Sequence, residues 1–405
     1  MDTARYLTEA DRYSAHNYHP LPVVLTRGKG IHVWDVDGKQ YVDMLSAYSA
    51  VNLGHAHPRI VDALVEQARR LPLTSRAFHN DRMGPFLRQL CELTGYEKAL
   101  PMNTGAEAVE TAIKAARKWG YEVKGVPADQ AEILVFNENF HGRTTTIISF
   151  SSDELYRKGF GPFTPGFRIL PYGDLDAVRE AITEKTVALL VEPIQGEAGV
   201  VVPPEGFLKG METLCRERNV LLMADEIQTG LGRTGRLFAS HWEDVRADVT
   251  IIGKALGGGV YPVSAVLADA AVLDVFTPGT HGSTFGGNPL GAAVGMAALD
   301  VLVEEKLAER SAELGAWFME ELGAIDSPII DHVRGRGLLI GVVIKREAGP
   351  ARPYCEALQA RGILAKETHE QVVRFAPPLI ISRAQLEELL PAIREVLSME
   401  AAVPA

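Results

Sequence analysis

Cysteine is scarce in this chain and poorly placed for cross-linking. Only Cys91, Cys215 and Cys355 occur among 405 residues, an odd number spread far apart along the sequence. Small secreted domains are held together by closely spaced pairs of cysteines, whereas reduced thiols are typical of the cytoplasm. We therefore expect no disulfide framework and a cytoplasmic location.

Long apolar runs and an excess of basic charge are also absent. No apolar run approaches membrane-spanning length, and the first residues, with the acids Asp2, Glu9 and Asp11, resemble neither a signal peptide nor a transit peptide. Lys and Arg number 41 against 52 Asp and Glu, which gives a formal net charge of −11. This balance disfavours a general attraction to nucleic acid or to an anionic membrane, so any anion site must be local.

Apolar residues are plentiful enough for more than one core. They make up 46% of a chain whose 405 residues exceed the usual size of a single core, which favours two domains. Short apolar runs at 133–136, 147–150 and 187–191 predict strands, and residues 207–218 predict a helix. Strands that alternate with helices are typical of an α/β fold with a parallel sheet.

Two further apolar runs each end in a group able to do chemistry. Residues 220–224 lead directly to Asp225, and residues 249–252, followed by Gly253, lead to Lys254. In open α/β sheets, ligands bind outside the carboxyl ends of the strands. Either residue alone fits a solvated charge at a strand end, but an acid and an amine from separate strands together predict one site.

The clearest helical pattern covers residues 104–121. Thr104 and Glu107 have the spacing of a capping box, and apolar residues recur at helical intervals after them. Gly105 and Ala106 carry little or no side chain, so their backbone N–H groups can approach a phosphate at the positive end of the helix. An ordinary small-residue cap is the alternative, and the nearby prediction of a site at Lys254 favours the phosphate.

Two other motifs are weaker. The glycines at 230–235 fit a dinucleotide-binding pattern, but no amphipathic helix follows them, which favours a flexible glycine loop. His55 and His57 lack a nearby third ligand, so we expect no metal site.

The frames around Asp225 (A-D-E-I-Q-T-G) and Lys254 (G-K-A-L-G-G-G) resemble those of the ornithine-type (class III) aminotransferases, and the likeness runs nearly the whole chain. It implies a fold type I, pyridoxal-phosphate-dependent α/β transferase. The large domain would have a mainly parallel central sheet flanked by helices, beside a smaller α+β domain. The implied division is an N-terminal segment, 1–45, packing with the small domain, a cofactor-binding large domain, 46–300, and the small domain, 301–405.

The resemblance also implies a role for individual residues. Lys254 would bind pyridoxal 5′-phosphate covalently, Asp225 its ring nitrogen and Gln228 its ring oxygen, while Phe140 would stack on the ring. The phosphate would be held by Gly105, Ala106 and, from the second subunit of a homodimer, Thr284. The implied substrate contacts are Tyr18, Tyr48, Arg143, Glu197 and Arg374. In one departure, His141 stands where the animal enzymes have a tryptophan.

The implied reaction transfers the δ-amino group of L-ornithine to 2-oxoglutarate. Its products would be glutamate and glutamate-5-semialdehyde, which cyclises to pyrroline-5-carboxylate. Alternative donors are N-acetylornithine, 4-aminobutyrate and other ω-amines, and a non-catalytic binding protein of the same fold is disfavoured by the intact Lys254 and Asp225. Tyr18 with Tyr48 favours free ornithine, because the first can contact its α-amino group. We also expect Glu197 to pair with Arg374 while ornithine is bound and to release it for glutamate.

Overall fold

The computed structural model describes residues 3–399 of the chain, which form a mixed α/β structure. The strands are β1 Leu25–Lys29, β2 His32–Asp35, β3 Gln40–Asp43, β4 Lys98–Met102, β5 Glu132–Phe136, β6 Phe167–Leu170, β7 Thr186–Val191, β8 Leu221–Asp225, β9 Val249–Ile252, β10 Ser264–Ala268, β11 Ile330–Arg336, β12 Leu339–Ile344, β13 Ile363–Leu364, β14 Lys366–Thr368 and β15 Val372–Phe375. The helices are α1 Thr3–Tyr13, α2 Ser46–Ser49, α3 Pro58–Arg70, α4 Met83–Thr94, α5 Gly105–Trp119, α6 Thr145–Ile148, α7 Glu154–Arg157, α8 Leu175–Ala181, α9 Phe207–Arg218, α10 Ala270–Leu273, α11 Pro289–Glu304, α12 Leu307–Gly323, α13 Arg352–Ala360 and α14 Arg383–Leu397.

The largest sheet has seven strands in the order β4-β10-β9-β8-β7-β5-β6. Neighbouring strands from β9 to β6 are parallel, and only β10 runs against its neighbours. The residues of β7 and β8 are all buried, as expected for a parallel sheet covered on both faces. The predicted α/β fold with a mainly parallel sheet is therefore confirmed, and the carboxyl ends of β5, β7, β8 and β9 meet at one edge.

Two four-stranded sheets lie outside this one, with the orders β1-β2-β3-β13 and β11-β12-β15-β14. Strands β2 and β3 pair as an antiparallel hairpin, and β3 pairs in parallel with β13, so the N-terminal segment is hydrogen-bonded to a strand of the C-terminal part. Helix α11 continues to Glu304, so the 300/301 boundary falls in its last turn. The three-part division of the chain stays a proposal, and its ends at 1–2 and 400–405 lie outside the described residues.

Helix α5 begins as the sequence predicts. The side chain of Thr104 accepts a hydrogen bond from the N–H of Glu107, whose carboxylate accepts one from the N–H of Thr104, so both halves of the capping box are present. The strand predicted at 147–150 is wrong. Thr144 caps a short helix there by accepting from the N–H of Ile147, and the apolar residues are buried on one face of a helical turn instead of along a strand.

The glycine loop at 230–235 contains no dinucleotide-type helix, but it is buried. Its Arg233 is 0% exposed and donates to the side chain of Asn52 and to the carbonyls of Leu338 and Pro377, at 2.9 and 2.7 Å. Burial lowers the pKa of this guanidinium to about 9, against the charge of Asp43. Arg233 therefore ties the loop to two distant parts of the chain.

Candidate active site

Asp225 and Lys254 meet at the edge of the large sheet. Asp225 is the last residue of β8, and Lys254 follows β9, the neighbouring strand, after one glycine. Both line a cavity of about 140 Å³ that also includes Phe140, Gln228 and the start of helix α5. We call this the inner cavity; its lining residues are Gly105, Ala106, Phe140, His141, Gly142, Glu192, Ile194, Asp225, Ile227, Gln228, Thr229 and Lys254.

The start of helix α5 forms one end of the inner cavity. Helix geometry leaves the N–H groups of Gly105 and Ala106 without an intrahelical acceptor, and both residues face the cavity. Gly142 packs closely against this helix start. A side chain at position 142 would crowd it, because an added Cβ would come within 3.1 Å of the Cβ of Ala106, and the φ of +125° there also favours glycine. The arrangement suits a phosphate group, as the sequence predicts.

The carboxylate of Asp225 accepts hydrogen bonds from two neighbouring groups of the protein. His141 Nδ1 lies 2.6 Å from Asp225 Oδ2, and the N–H of Ile227 donates to Oδ1 at 3.0 Å. Burial alone lowers the pKa of His141, but the hydrogen bond and the charge of Asp225 outweigh burial and raise that pKa above its ordinary value. The histidine that the sequence leaves without a role is therefore a direct partner of the predicted aspartate.

Glu192 is a second buried carboxyl at the same sheet edge. It follows β7 directly, and its Oε2 accepts from the N–H of Phe140 at 2.9 Å. Burial raises its pKa to about 7, although the charge of His141 opposes the shift. Sequence reasoning missed Glu192, yet it had the same signal as Asp225, an acid at the end of a buried apolar run.

Lys254 occupies an uncommon backbone conformation. Its φ of 42° lies in the left-handed region, which non-glycine residues adopt at a cost and mostly at functional sites. Burial lowers the pKa of its amine, against the charges of Glu197 and Asp225. A neutral amine is therefore easier to form here than on an exposed lysine.

Phe140 separates the inner cavity from a larger one of about 650 Å³, which we call the outer cavity. Its other lining residues come from loops, from the short helices α2 and α7 and from the segment around β14; they are Tyr48, Glu138, Asn139, Ser152, Asp153, Glu154, Leu155, Tyr156, Glu197, Ala198, Lys366, Glu367, Thr368, His369 and Glu370. Six of the lining residues are acids and one is a lysine. The outer cavity thus carries an acidic rim.

Arg374 and Glu197 form an ion pair next to the outer cavity. Arg374 Nη1 lies 2.7 Å from Glu197 Oε1 and 3.2 Å from Gln228 Oε1, and Gln228 donates to Glu197 at 3.1 Å. Burial raises the pKa of Glu197, but the charge and hydrogen bonds of Arg374 and Gln228 bring it below its ordinary value. Arg374 Nε and Nη2 are buried without a hydrogen-bond partner among residues 3–399, so two of its donor nitrogens remain available.

Tyr48 lies beside this ion pair, in an unusual turn. The guanidinium carbon of Arg374 is 5.0 Å from the centre of its ring. The four residues of α2, Ser46–Ser49, all have positive φ, between 46° and 71°. Left-handed conformations cost about 1–2 kcal/mol per residue, so the surrounding structure must stabilise the turn that presents Tyr48.

Arg143 is exposed and rests on aromatic rings. Its guanidinium carbon lies 4.0 Å from the centre of the Tyr156 ring and 5.7 Å from that of Phe140. No ion pair of Arg143 occurs in the part of the chain that the structure describes. Tyr156, which sequence reasoning missed, lies in the four-residue helix α7, which is too short to show a helical pattern in the sequence.

Two of the remaining predicted residues, Tyr18 and Thr284, line neither cavity. Tyr18 is 73% exposed, although its charge helps to raise the pKa of Tyr48, which burial raises most. Thr284 is exposed in the loop after His281, and its neighbour Ser283 accepts a hydrogen bond from Asn103 at 3.0 Å, close to the start of α5. This chain by itself does not bring Thr284 into the inner cavity.

Comparison with known proteins gives one consistent result. The family model for class-III aminotransferases matches residues 13–397. The chain belongs to the class-III aminotransferases. Members of this family are pyridoxal-phosphate-dependent enzymes, and the inner cavity offers the residues that such a cofactor needs: helix-start N–H groups, a buried carboxylate, a lysine and an aromatic ring.

Individual relatives agree over almost the full length. The chain is 59% identical to the ornithine aminotransferase of Brevibacillus brevis over 391 residues, which cover 96% of this chain and 97% of the relative. Its fold matches the ornithine aminotransferase structure of Toxoplasma gondii, described with partial occupancy of PLP at the active site, with a TM-score of 0.96 at 47% identity, covering 98% and 94% of the two chains. The acetylornithine aminotransferase structure of Elizabethkingia anophelis matches with a TM-score of 0.90 at 50% identity, covering 98% and 99%.

Neither a membrane-spanning helix nor a cluster of three metal ligands is found among the described residues. Within residues 3–399, no helix is both long enough and apolar enough to cross a membrane. The same residues contain no group of three His, Cys, Asp or Glu side chains placed to hold a metal ion. His55, one of the two histidines considered, lies 2.7 Å from Asp43 Oδ2 instead.

Proposed function

We propose that this chain transfers the δ-amino group of L-ornithine to 2-oxoglutarate. Relatives named ornithine aminotransferase match nearly the whole chain at 58–59% identity, and they support this substrate pair. The products are glutamate and glutamate-5-semialdehyde, which cyclises to pyrroline-5-carboxylate.

The observation that carries the proposal is the Arg374–Glu197 pair. Ornithine must present its δ-amine to the site, whereas glutamate must present its α-amine, with the α-carboxylate beside it. An unpaired Arg374 would bind either α-carboxylate and would promote reaction at the wrong end of ornithine. The ion pair of 2.7 Å masks its charge, while the unpartnered Nε and Nη2 remain ready for a carboxylate once Glu197 moves away.

The inner cavity supplies the chemistry. Pyridoxal phosphate, when bound, stabilises negative charge on the substrate carbon that loses a proton. Asp225, oriented by His141 and the N–H of Ile227, would favour the protonated ring nitrogen; a carboxylate about 4 Å away would contribute about 4 kcal/mol at an effective dielectric near 20. The amine of Lys254, whose pKa is lowered by burial, can then move a proton between carbon atoms as a general base.

The acidic rim favours free ornithine over N-acetylornithine and 4-aminobutyrate. Ornithine carries a net positive charge because its α-amino group is free, whereas the other two donors are neutral overall. Glu197 is paired with Arg374, and Glu367 with Lys366 and Arg352. The other four acids that line the outer cavity form no ion pair with Lys or Arg within residues 3–399, and they attract that extra cation. Tyr18 is the proposed contact of the α-amino group, Tyr48 is a further proposed substrate contact, and Arg143 is the proposed contact of ornithine's carboxylate.

A panel of amino donors assayed with 2-oxoglutarate tests this proposal. We expect the largest kcat/KM for ornithine, and we expect added salt to raise KM for ornithine more than for 5-aminopentanoate, which lacks an α-amino group. Tyr18→Phe should lower activity with ornithine more than activity with 5-aminopentanoate. A kcat/KM for N-acetylornithine equal to or above that for ornithine would reassign the substrate, and inactivity with every donor would refute a catalytic function.

We also propose a homodimer in which Thr284 completes the phosphate site of the partner subunit. The exposure of Thr284 and of the adjacent Phe285, at 48%, supports a surface that a second copy covers. A cytoplasmic location belongs to the same proposal, and the three free cysteines support it.

A further inference from the structure

The segment 14–22, which carries Tyr18, gains little support from burial within this chain. Residues 14–20 are all exposed, and helix α1 before them contains no buried residue. Most hydrogen bonds of the segment are local, such as that from the N–H of Ser14 to the carbonyl of Ala10. Within residues 3–399, its hydrogen bonds to a distant part of the chain all come from Arg352. The position of Tyr18 therefore depends largely on that arginine.

Arg352 is the first residue of helix α13, and its side chain is 21% exposed. Its Nη1 donates to the carbonyl of His19 at 3.1 Å and its Nη2 to that of Pro20 at 3.3 Å. Nη1 also lies 3.1 Å from Glu367 Oε1, and Nε donates to Glu356 Oε1 at 2.9 Å. All three nitrogens of the planar guanidinium are engaged, so these bonds fix its orientation.

The network of Arg352 reaches the wall of the outer cavity. Glu367 lines this cavity, and its Oε1 also accepts from Lys366 at 2.6 Å. Burial raises the pKa of Tyr48 most, and the charges of Tyr18 and Glu367 add to the rise. Burial also raises the pKa of Tyr156, and the charge of Tyr18 adds to that rise. Tyr18 is thus close enough to two tyrosines of the cavity wall to act on them.

Arg383 shows what an ordinary pair at a helix start looks like in this chain. It is the first residue of α14, and its Nε donates to Glu387, four residues later, at 2.9 Å. Arg352 makes the same local pair with Glu356. Among the described residues, Arg383 makes no hydrogen bond to a distant segment. The bonds that distinguish Arg352 are those to the segment 14–22 and to the cavity wall.

We propose that Arg352 is a positioning residue that holds Tyr18 beside the outer cavity, because it joins the carbonyls of His19 and Pro20 to Glu367. The inference rests on the proposed function, since it takes Tyr18 as the contact of ornithine's α-amino group. Arg352 then contributes to the choice of ornithine without touching the substrate.

The test measures kcat/KM for ornithine divided by kcat/KM for 5-aminopentanoate, which lacks the α-amino group. Arg352→Gln removes both the guanidinium and its charge, whereas Arg352→Lys keeps the charge but cannot donate in parallel to two carbonyls. Arg383→Gln removes the matched local pair and is the control. Both Arg352 variants are also made together with Tyr18→Phe, because a residue that acts only through the Tyr18 hydroxyl has no further effect on the ratio there.

We expect Arg352→Gln and Arg352→Lys to lower the ratio about tenfold, the size of one hydrogen bond to a charged group, and to change kcat/KM for 5-aminopentanoate much less. Combined with Tyr18→Phe, they should leave the ratio at the value of Tyr18→Phe alone. Loss of a positive charge near the acidic rim would by itself favour the cationic ornithine. A ratio that rises in Arg352→Gln would therefore overturn the inference, as would additive effects of the Arg352 and Tyr18 substitutions.

The remaining outcomes separate this inference from the proposed function. If Tyr18→Phe lowers the ratio and the Arg352 variants do not, the contact with ornithine stands and the role of Arg352 is refuted. If Tyr18→Phe leaves the ratio unchanged, the assignment of Tyr18 fails and the inference fails with it. A wild type that does not prefer ornithine refutes the proposed substrate instead.

A second measurement needs no substrate. Chymotrypsin cleaves after tyrosine, and Tyr13 and Tyr18 are 76% and 73% exposed, so cleavage here reports how readily the segment leaves the surface. Release of the N-terminal peptides, followed by mass spectrometry, should be about tenfold faster in Arg352→Gln holoenzyme than in wild type. Arg383→Gln should match the wild type. Equal cleavage rates in all three proteins would show that other contacts hold the segment, and would contradict the role of Arg352.

Discussion

The inner and outer cavities differ in how the chain builds them. The inner cavity takes its residues from the ends of adjacent strands and from the start of one helix. The outer cavity is lined by loops, by two four-residue helices, α2 and α7, and by residues near β14, which belongs to a different sheet. Polar groups in the inner cavity are buried and bonded to one another, whereas many of those around the outer cavity are exposed.

This difference suits the inner cavity to the reaction and the outer cavity to the choice of substrate. The hydrogen bonds between β8 and β9 fix the position of Asp225 relative to Lys254. Fixed relative positions suit groups that must hold a cofactor in one orientation. The ion pair of Glu197 and Arg374 instead joins a loop after β7 to β15, so it can open without disturbing either sheet. Two substrates of different charge can thus share one reaction centre.

The comparison predicts the largest effect for a residue of the inner cavity. Lys254→Ala should lower kcat by about 10⁴-fold or more, because it removes the residue proposed as both covalent anchor and general base. Purified protein should also lack the visible absorption band of lysine-bound cofactor. Lys185→Ala, at an exposed lysine, is the control and should keep both. Normal turnover by Lys254→Ala would remove this residue from the mechanism.

Much of the inner cavity could be predicted from the sequence because its signals are local. Buried strands are continuous apolar runs, so the residue at each run's end was placed correctly for Asp225 and Lys254. The capping box at Thr104 likewise marks the start of α5 to the residue. Glu192 was missed although it carries the same signal, since its partner, the N–H of Phe140, is distant in sequence.

The outer cavity was less predictable because its contacts join distant segments. The apolar run at 147–150, which precedes the lining segment 152–156, fits a short strand or a short helix equally well, and only the cap at Thr144 decides for the helix. No periodic pattern in the sequence predicts that Arg143 stacks on Tyr156. The Arg374–Glu197 pair was expected from family resemblance and could not have been derived from spacing.

The next largest effect tests whether one chain completes the inner cavity. Thr284→Ala should weaken retention of pyridoxal phosphate by about 10- to 100-fold, the loss of one hydrogen bond to a charged group across a dimer interface. Thr213→Ala, at an exposed threonine of α9, is the control. Dissociation constants and sedimentation are measured on the same samples, and a fully active monomer that retains the cofactor would rule out a shared site.

A smaller effect is expected in the outer cavity. Glu197→Ala should speed the half-reaction with glutamate relative to that with ornithine by about tenfold, a shift of about 1.4 kcal/mol. It unmasks Arg374 and should also raise transfer from ornithine's α-amine. Single-turnover spectroscopy of each half-reaction measures the ratio, and Glu370→Ala, an unpaired rim acid among the described residues, controls for the loss of negative charge. An unchanged ratio in cofactor-replete Glu197→Ala would mean that the ion pair is static.

The smallest effect concerns the stability of the inner cavity. Burial raises the pKa of Glu192 from 4.5 to about 7 in the folded protein. A carboxyl whose folded pKa is raised keeps its proton to a higher pH in the folded state than in the unfolded one. Its contribution to stability is therefore fully present below pH 4.5 and is lost as pH rises toward 7.

Glu192→Gln stays neutral and can still accept from the N–H of Phe140 through its carbonyl. The melting temperature of the Glu192→Gln apoenzyme minus that of the wild-type apoenzyme should therefore be about 1–3 °C larger at pH 8 than at pH 5. Glu217→Gln, at an exposed glutamate, should show no such gain. A difference between Glu192→Gln and wild type that stays constant across this range would mean that Glu192 is ionised throughout, and that the strand ends tolerate two buried negative charges beside His141.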